Sequence, residues 1–224
     1  MSLFLTLAPT WPLPAQTTTA RWQARLKAID EQLAQGQWSK AERSAKWLRH
    51  EMYGSLVGGG EGLLGMLFAM QGVAAYGKGD THRGEWTWLA ALQFFPEVAS
   101  LDLSRYREVG QALASLEERP APDREDGKDE VEAVGVEPPR RKKTEMPTFP
   151  RARVLSGRTV SVKVMCVVDE QGMPRHPKIM ESANEPVLAF AALEALGKWR
   201  FEPATRHGEK TAVWYAVTVN FEVP

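Results

Sequence analysis

The run Trp199-Arg200-Phe201-Glu202-Pro203-Ala204 lies between a predicted helix and a predicted strand, and its surroundings decide the fold of the C-terminal part of the chain. Before the run, apolar residues recur at spacings of three and four, which predicts a helix with one apolar face. These residues are Leu188, Ala191, Ala192, Ala195, Leu196 and Trp199. After the run, apolar and other side chains alternate, which predicts a strand. The inward set is Val213, Tyr215, Val217, Val219 and Phe221, and the outward set is Trp214, Ala216, Thr218 and Asn220.

A hairpin precedes the predicted helix. Alternating apolar residues predict a first strand over residues 159–168. Asp169-Glu170-Gln171-Gly172 predicts its turn, because glycine adopts positive φ without strain and an aspartate side chain can bond the turn backbone. The return strand, residues 173–181, contains Pro174 and Pro177, which cannot donate ladder hydrogen bonds, so we expect it at a sheet edge. The stretch therefore predicts a ββαβ unit, in which one helix crosses a three-stranded antiparallel sheet.

Several short motifs follow one another in this region. They are Phe149-Pro150-x-Ala152, Gly157, Val168-Asp169-x-x-Gly172, Ala191-Ala192-Leu193 and Trp199-Arg200-Phe201-Glu202-Pro203. Their order and spacing resemble those of TonB C-terminal domains. The resemblance covers residues 149–223, roughly a third of the chain.

This resemblance implies a role in energy-coupled transmembrane transport, in the periplasm of a Gram-negative bacterium. Domains of the family bind the TonB box, a short extended segment of an outer-membrane TonB-dependent receptor, and add it to their sheet as a strand. Typical members also reach an inner-membrane motor complex through a membrane-spanning helix. The longest apolar stretch here, Leu63 to Tyr76, is shorter than the roughly 20 residues that such a helix needs.

Strand addition would place the partner on the last strand, because an exposed strand edge offers amides and carbonyls for pairing. The expected partner-binding residues are Val213, Trp214, Tyr215, Ala216, Val217, Thr218, Val219, Asn220, Phe221, Phe149, Pro150 and Arg200. We expect the inward side chains to be core, which leaves the backbone and the outward side chains for a partner. Arg200 is expected either to act locally, for example on Glu202, or to reach a partner's carboxylate. Phe149-Pro150 resembles the family's Tyr-Pro pair without its hydroxyl.

Helical periodicity dominates residues 20–118. Its apolar stripes are Trp22, Leu26, Ile29 and Leu33, then Ala41, Ala45, Leu48 and Met52, and finally Tyr106, Val109, Leu113 and Leu116. The segment from Gly72 to Pro96, with small residues where two helices would touch, resembles a tetratricopeptide repeat. We therefore expect an all-α domain of tetratricopeptide-like helical hairpins. Its expected role is either a partner-binding groove or a helical spacer or dimerisation unit.

Two segments are expected to lie outside folded domains. Residues 1–19 begin with an apolar run and are expected to be either a truncated signal peptide or a disordered tail. Residues 119–147 are rich in proline and charge and are expected to form a disordered linker. The chain is thus expected to be an α+β, multidomain protein, with a helical domain at 20–118 and a TonB-like domain at 148–224.

The composition argues against several other functions. The chain has 28 basic and 28 acidic residues, so its net charge provides no general attraction to nucleic acid. Its four histidines lack metal-ligand spacing, and no glycine-rich phosphate loop follows a strand. The single cysteine, Cys166, is expected to be a small buried hydrophobe. We therefore expect no enzyme, no cofactor, no metal and no small-molecule substrate.

A second class of function stays open. In this alternative the protein is a non-enzymatic envelope scaffold or adaptor that acts through its helical domain. The sheet would then be an assembly module, which could pair edge to edge into a homodimer.

Overall fold

The computed structural model describes residues 14–55, 61–95, 98–99, 101–116, 135–151, 157–181 and 185–222. Its helices are α1 (Pro14–Ala34), α2 (Trp38–Ser55), α3 (Glu61–Gly77), α4 (Thr81–Phe94), α5 (Arg107–Ala114) and α6 (Pro186–Leu196), with a 3-10 turn at Leu103–Tyr106. Its strands are β1 (Val136–Glu137), β2 (Arg140–Lys143), β3 (Thr159–Val168), β4 (Pro174–Glu181), β5 (Arg200–Glu202), β6 (Ala204–Arg206), β7 (Glu209–Thr211) and β8 (Val213–Glu222). The α+β architecture predicted from the sequence is confirmed.

Helices α1 to α4 form two hairpins. The first hairpin turns at Gly36 and the second at Gly79, and both glycines have positive φ. The predicted stripes on α1 and α2 are buried. Helices α3 and α4 pack so closely that a Cβ on Gly84 would lie only 2.6 Å from the Cβ of Tyr76. Asp80 caps α4 by accepting a hydrogen bond from the amide of Arg83.

The last helical stretch, residues 103–116, packs back on these hairpins. Tyr106, Leu113 and Leu116 are buried, as their spacing predicts. The Tyr106 hydroxyl donates to Oδ1 of Asp30 at 2.6 Å, which ties this stretch to α1.

The main sheet has the order β4-β3-β8 and is antiparallel throughout. The predicted turn joins β3 to β4: Oδ1 of Asp169 accepts from the amides of Gln171 at 3.1 Å and Met173 at 2.7 Å. Gly172 has a φ of 76°, and a Cβ there would lie 1.9 Å from the Phe201 carbonyl oxygen, so glycine is required. The buried helix α6 supplies the core beneath this sheet.

Short strands extend the sheet region beyond the ββαβ unit. β1 pairs with β6, which pairs with β7, and β2 pairs with β5. Residues 136–143 lie within the disordered linker predicted at 119–147, and this part of the prediction is wrong, because they contain strands β1 and β2. Exposed, charged strands such as Arg140-Arg141-Lys142-Lys143 show no alternation of apolar residues, so they can be recognised only from the strands with which they pair.

The helical layer and the sheet share one hydrophobic core. Phe190 of α6 lies between aromatic rings of the helical layer: its ring centroid is 4.9 Å from that of Phe68 and 5.7 Å from that of Phe95. The indole nitrogen of Trp86 donates to the Leu193 carbonyl at 2.9 Å. The sequence suggested separate domains joined by a linker, whereas the structure packs α4 directly against β4 and α6.

The N-terminal segment is described only from residue 14 onwards. Residues 14–19, which were expected to belong to a signal peptide or tail, form the first turns of α1. Residues 1–13, the rest of the predicted N-terminal segment, lie outside the described part. Residues 117–134, which include most of the predicted linker, also lie outside it. Within the described part, no helix combines the length and the apolar character needed to cross a membrane.

Candidate docking edge of the C-terminal sheet

The last strand, β8, forms one edge of the main sheet. All ten of its residues pair with β3, from Val213 opposite Val168 to Glu222 opposite Thr159. Among the described residues, β3 is the one strand that pairs with β8. The outer side of β8 is therefore a candidate edge for a further strand.

The opposite edge, β4, is covered by helix α4. The Gln93 side chain bonds to the β4 backbone as a neighbouring strand would. Its Nε2 donates to the Pro177 carbonyl, and its Oε1 accepts from the Ile179 amide at 3.2 Å. Nε2 of His82 lies 2.8 Å from the Pro174 carbonyl oxygen, within hydrogen-bond distance. Pro177 also lacks an amide hydrogen that an added strand could use. The predicted edge position of β4 is confirmed, and α4 already occupies that edge.

Side chains alternate along the second half of β8. Val217, Val219 and Phe221 are buried, and Thr218 and Asn220 are exposed. The Ser161 hydroxyl on β3 donates to Oδ1 of Asn220 at 2.9 Å, so the exposed face carries a polar cross-strand pair. Burial here follows the alternation that the sequence predicts.

The first half of β8 departs from that alternation at Trp214. This side chain was expected to point outward, yet it is only 8% exposed. It packs on the face opposite α6, in a second apolar cluster that also contains Met165, Val167, Ala212 and Ala216. Val213 is buried, while Tyr215 and Ala216 are half-buried. At this end the sheet therefore has apolar packing on both faces, and Trp214 contributes to that packing.

Phe149 and Pro150 lie beside the far end of β8. The rings of Phe149 and Phe221 meet edge-on with centroids 5.0 Å apart, a contact worth about 0.5–1.5 kcal/mol beyond the area it buries. Phe149 and Pro150 are both half-buried. The ring contact needs no hydroxyl, which fits a phenylalanine where the family has tyrosine.

Arg200 contacts backbone carbonyls close to it in the chain. Its Nη1 donates to the Trp199 carbonyl at 2.6 Å and lies 3.5 Å from the Gly197 carbonyl oxygen, just beyond the end of α6. A cation suits this position, because the carbonyls at the end of a helix carry partial negative charge. The Trp199 indole donates to the Glu145 carbonyl at 2.9 Å, which ties the segment before β3 to the same corner. Of the two roles predicted for Arg200, these contacts favour the local one, through carbonyls and not through Glu202.

Cys166 lies on β3, opposite Tyr215 of β8. Burial raises the pKa of the Cys166 thiol to about 12, so this cysteine on β3 stays neutral and behaves as an apolar side chain. In the part of the chain that the structure describes, no three histidine, cysteine, aspartate or glutamate side chains are grouped to hold a metal.

Sequence analysis missed the residues that close the β4 edge. Gln93 and Pro177 are 84 positions apart, and nothing in the local pattern around Gln93 distinguishes it from an ordinary polar helix residue. Only the docking of α4 on the sheet brings the two together.

Residues 145–223 match the family described as Gram-negative bacterial TonB protein C-terminal. This part of the chain is similar to the C-terminal domain of TonB proteins. The match covers about a third of the chain. No curated protein matches the chain. The domain indicates a TonB-like protein of receptor-coupled transport in the Gram-negative cell envelope, and domains of this family are non-catalytic interaction domains. The tetratricopeptide-like interpretation of α1 to α4 stays a prediction.

Proposed function

We propose that this protein binds the TonB box of an outer-membrane receptor by adding it to the main sheet as a strand beside β8. The observation that carries this proposal is that the two edges of the main sheet, β4 and β8, differ in how they are covered. Among the described residues, β8 has a strand neighbour on one side only, whereas α4 covers the β4 edge through Gln93. A partner that adds a strand therefore has one edge to use.

Main-chain hydrogen bonds alone would give weak binding. Each bond contributes about 1 kcal/mol net, so about five bonds supply about 5 kcal/mol, which only begins to offset an association cost of about 4–15 kcal/mol. Side-chain contacts must supply the rest. The exposed Thr218 and Asn220, together with Phe149 and Pro150 at the strand's end, are the side chains best placed to do so.

The shared core supports a mechanical role for the helical layer. A pull on a strand docked at β8 would pass through β3 to α6, whose Phe190 and Leu193 contact α3 and α4. An upstream membrane anchor that meets an inner-membrane motor would then pull on the same rigid unit.

A second candidate is an envelope scaffold that acts through the helical layer. It is favoured by the extent of this layer, which comprises α1 to α5. In that case β8 could pair with β8 of a second copy, and the protein would be a dimer.

The test is an amide NMR titration of the full chain with peptides from receptor plug termini of the same genome. The proposal expects saturable shifts concentrated on residues 213–221 and at Ser161, beneath the edge. Shifts confined to α1–α5 would support the scaffold instead. Absence of shifts at millimolar peptide would refute strand addition.

A matched peptide separates backbone pairing from side-chain capture. The same peptide with alternate amide nitrogens methylated keeps every side chain but cannot donate the ladder bonds. We expect it to lose at least about 10-fold in affinity, since two lost bonds of about 1 kcal/mol each suffice. Equal affinity of the two peptides would exclude strand addition. Sedimentation of the free chain over a dilution series detects the competing β8 dimer.

A further inference from the structure

A groove on the surface of the helical layer belongs to no site described above. It runs between α1 and α2 and has a volume of about 400 Å³, within the range of ligand-binding clefts. Its lining includes Arg25, Ile29 and Gln32 of α1 and Arg43, Ser44 and Trp47 of α2.

Trp47 is the first unusual feature of this α1–α2 groove. Its side chain is 52% exposed, whereas Trp22, Trp86 and Trp88 of the same layer are buried. The guanidinium of Arg25 lies 3.8 Å from the centre of the Trp47 ring, which fixes both side chains as a flat platform. Tryptophan and arginine are the residue types most enriched where binding energy concentrates at protein interfaces.

Charge is the second feature. Within the described part of the chain, neither Arg25 nor Arg43 forms an ion pair. The carboxylates of Asp30 and Glu51 on the same two helices are engaged by other arginines. The groove therefore presents two guanidinium groups whose charge no carboxylate within it balances.

Gln32 adds a hydrogen-bonding group between these charges. It is half-buried, and its Oε1 is buried without a hydrogen-bond partner in the described structure. A buried acceptor left without a donor costs free energy. A small rotation of the terminal amide would allow it to accept from a ligand that brings an N–H group.

We propose that the α1–α2 groove binds an acidic peptide segment of a partner protein. Carboxylates of the segment pair with Arg25 and Arg43, a main-chain amide donates to Gln32, and an aliphatic or aromatic side chain lies against Trp47. This site is separate from the β8 edge and does not depend on the function proposed for that edge.

A peptide fits these features better than a membrane surface or free phosphate does. Phosphate and lipid headgroup oxygens could pair with Arg25 and Arg43 as a carboxylate does, so free phosphate and lipid vesicles are separate arms of the test. The concave shape between two helices suits a chain segment more than a flat surface.

The experiment titrates the full chain with a fluorescein-labelled hexaglutamate peptide at 150 mM salt, followed by fluorescence anisotropy. We expect saturable binding, and no binding of labelled hexalysine. The double variant Arg25→Gln, Arg43→Gln should weaken hexaglutamate binding by at least about 10-fold, because two charge-assisted bonds are lost. Trp47→Ala should weaken it by about 3-fold or more, because the Trp47 ring no longer positions the Arg25 guanidinium. The charge-matched control, Arg140→Gln with Arg206→Gln on the sheet side, should change it by less than about 2-fold.

Other outcomes would overturn the proposal. Equal loss in the control variant would mean that hexaglutamate responds only to overall charge. Arg25- and Arg43-dependent binding to phosphatidylglycerol vesicles, without hexaglutamate binding, would make the groove a membrane contact. Competition by millimolar inorganic phosphate as strong as that by hexaglutamate would make it an anion site. Unchanged circular dichroism of the double variant excludes misfolding as the cause of any loss.

Discussion

Replacing Phe190 by alanine should destabilise the helical layer and the sheet together. The Phe190 ring is fully buried, lies 4.9 Å edge-on from Phe68 of α3, and stacks at 5.7 Å on Phe95 at the end of α4. A buried Phe→Ala change costs about 3–5 kcal/mol, because the ring's transfer free energy is lost and a cavity remains. With two aromatic neighbours from the other layer, we expect about 4 kcal/mol, a large part of the total stability of about 5–15 kcal/mol.

Urea unfolding followed by amide NMR peaks in α3 and in β3 measures this effect in both layers at once. If the two layers form one cooperative unit, both sets of peaks lose intensity at the same, lowered midpoint. Phe149→Ala is the matched control: this ring is half-buried at the margin of the core and meets the Phe221 ring edge-on, so we expect a loss of about 1–2 kcal/mol. The reasoning is refuted if Phe190→Ala costs less than the control, or if only the β3 midpoint falls.

Three further changes test the interface and the hairpin. Gln93→Ala should cost about 1–3 kcal/mol in urea unfolding, since it removes two hydrogen bonds to β4, and it should promote concentration-dependent dimerisation by opening that edge. Burial lowers the pKa of His82, and also that of His176, below 6.5, so the folded state binds fewer protons. The free energy of unfolding should therefore be highest above pH 6.5 and fall as the pH drops below it. In the variant His82→Gln this fall should be smaller. An unchanged dependence of stability on pH in the variant would contradict a role of His82 in it. Gly172→Ala should lower the free energy of unfolding more than Gly157→Ala does. Both glycines have positive φ, which costs an alanine about 1–2 kcal/mol, but of the two only the Cβ at 172 would clash with a carbonyl oxygen.

The C-terminal unit could be predicted because its signals are local. The β3–β4 turn depends on Asp169 and Gly172, which lie three residues apart, and each strand's burial follows from the period of two. Trp214 shows where this reasoning fails. Alternation places it on the outer face, but only the packing of Met165 and Val167 on that face decides that it is buried.

The helical part follows the same division. Stripes such as Leu26, Ile29 and Leu33 predict helices and their buried sides, because the 3.6-residue period is a property of the segment itself. The strand pairing of Arg140 to Lys143 had no such signal, since charged, exposed residues carry no periodic pattern.

The sequence by itself determined the helices, the three strands of the main sheet and the order of the motifs that resemble the family, because these depend on residues close together in the chain. Only the tertiary structure decided which sheet edge is left for a partner. That choice depends on Gln93 and His82 reaching the backbone of β4 from a helix that is more than 80 positions away in the chain. Likewise, the platform of Arg25 and Trp47 exists only where α1 and α2 pack side by side. Contacts of this kind arise from the packing of buried surfaces, which no local periodicity encodes.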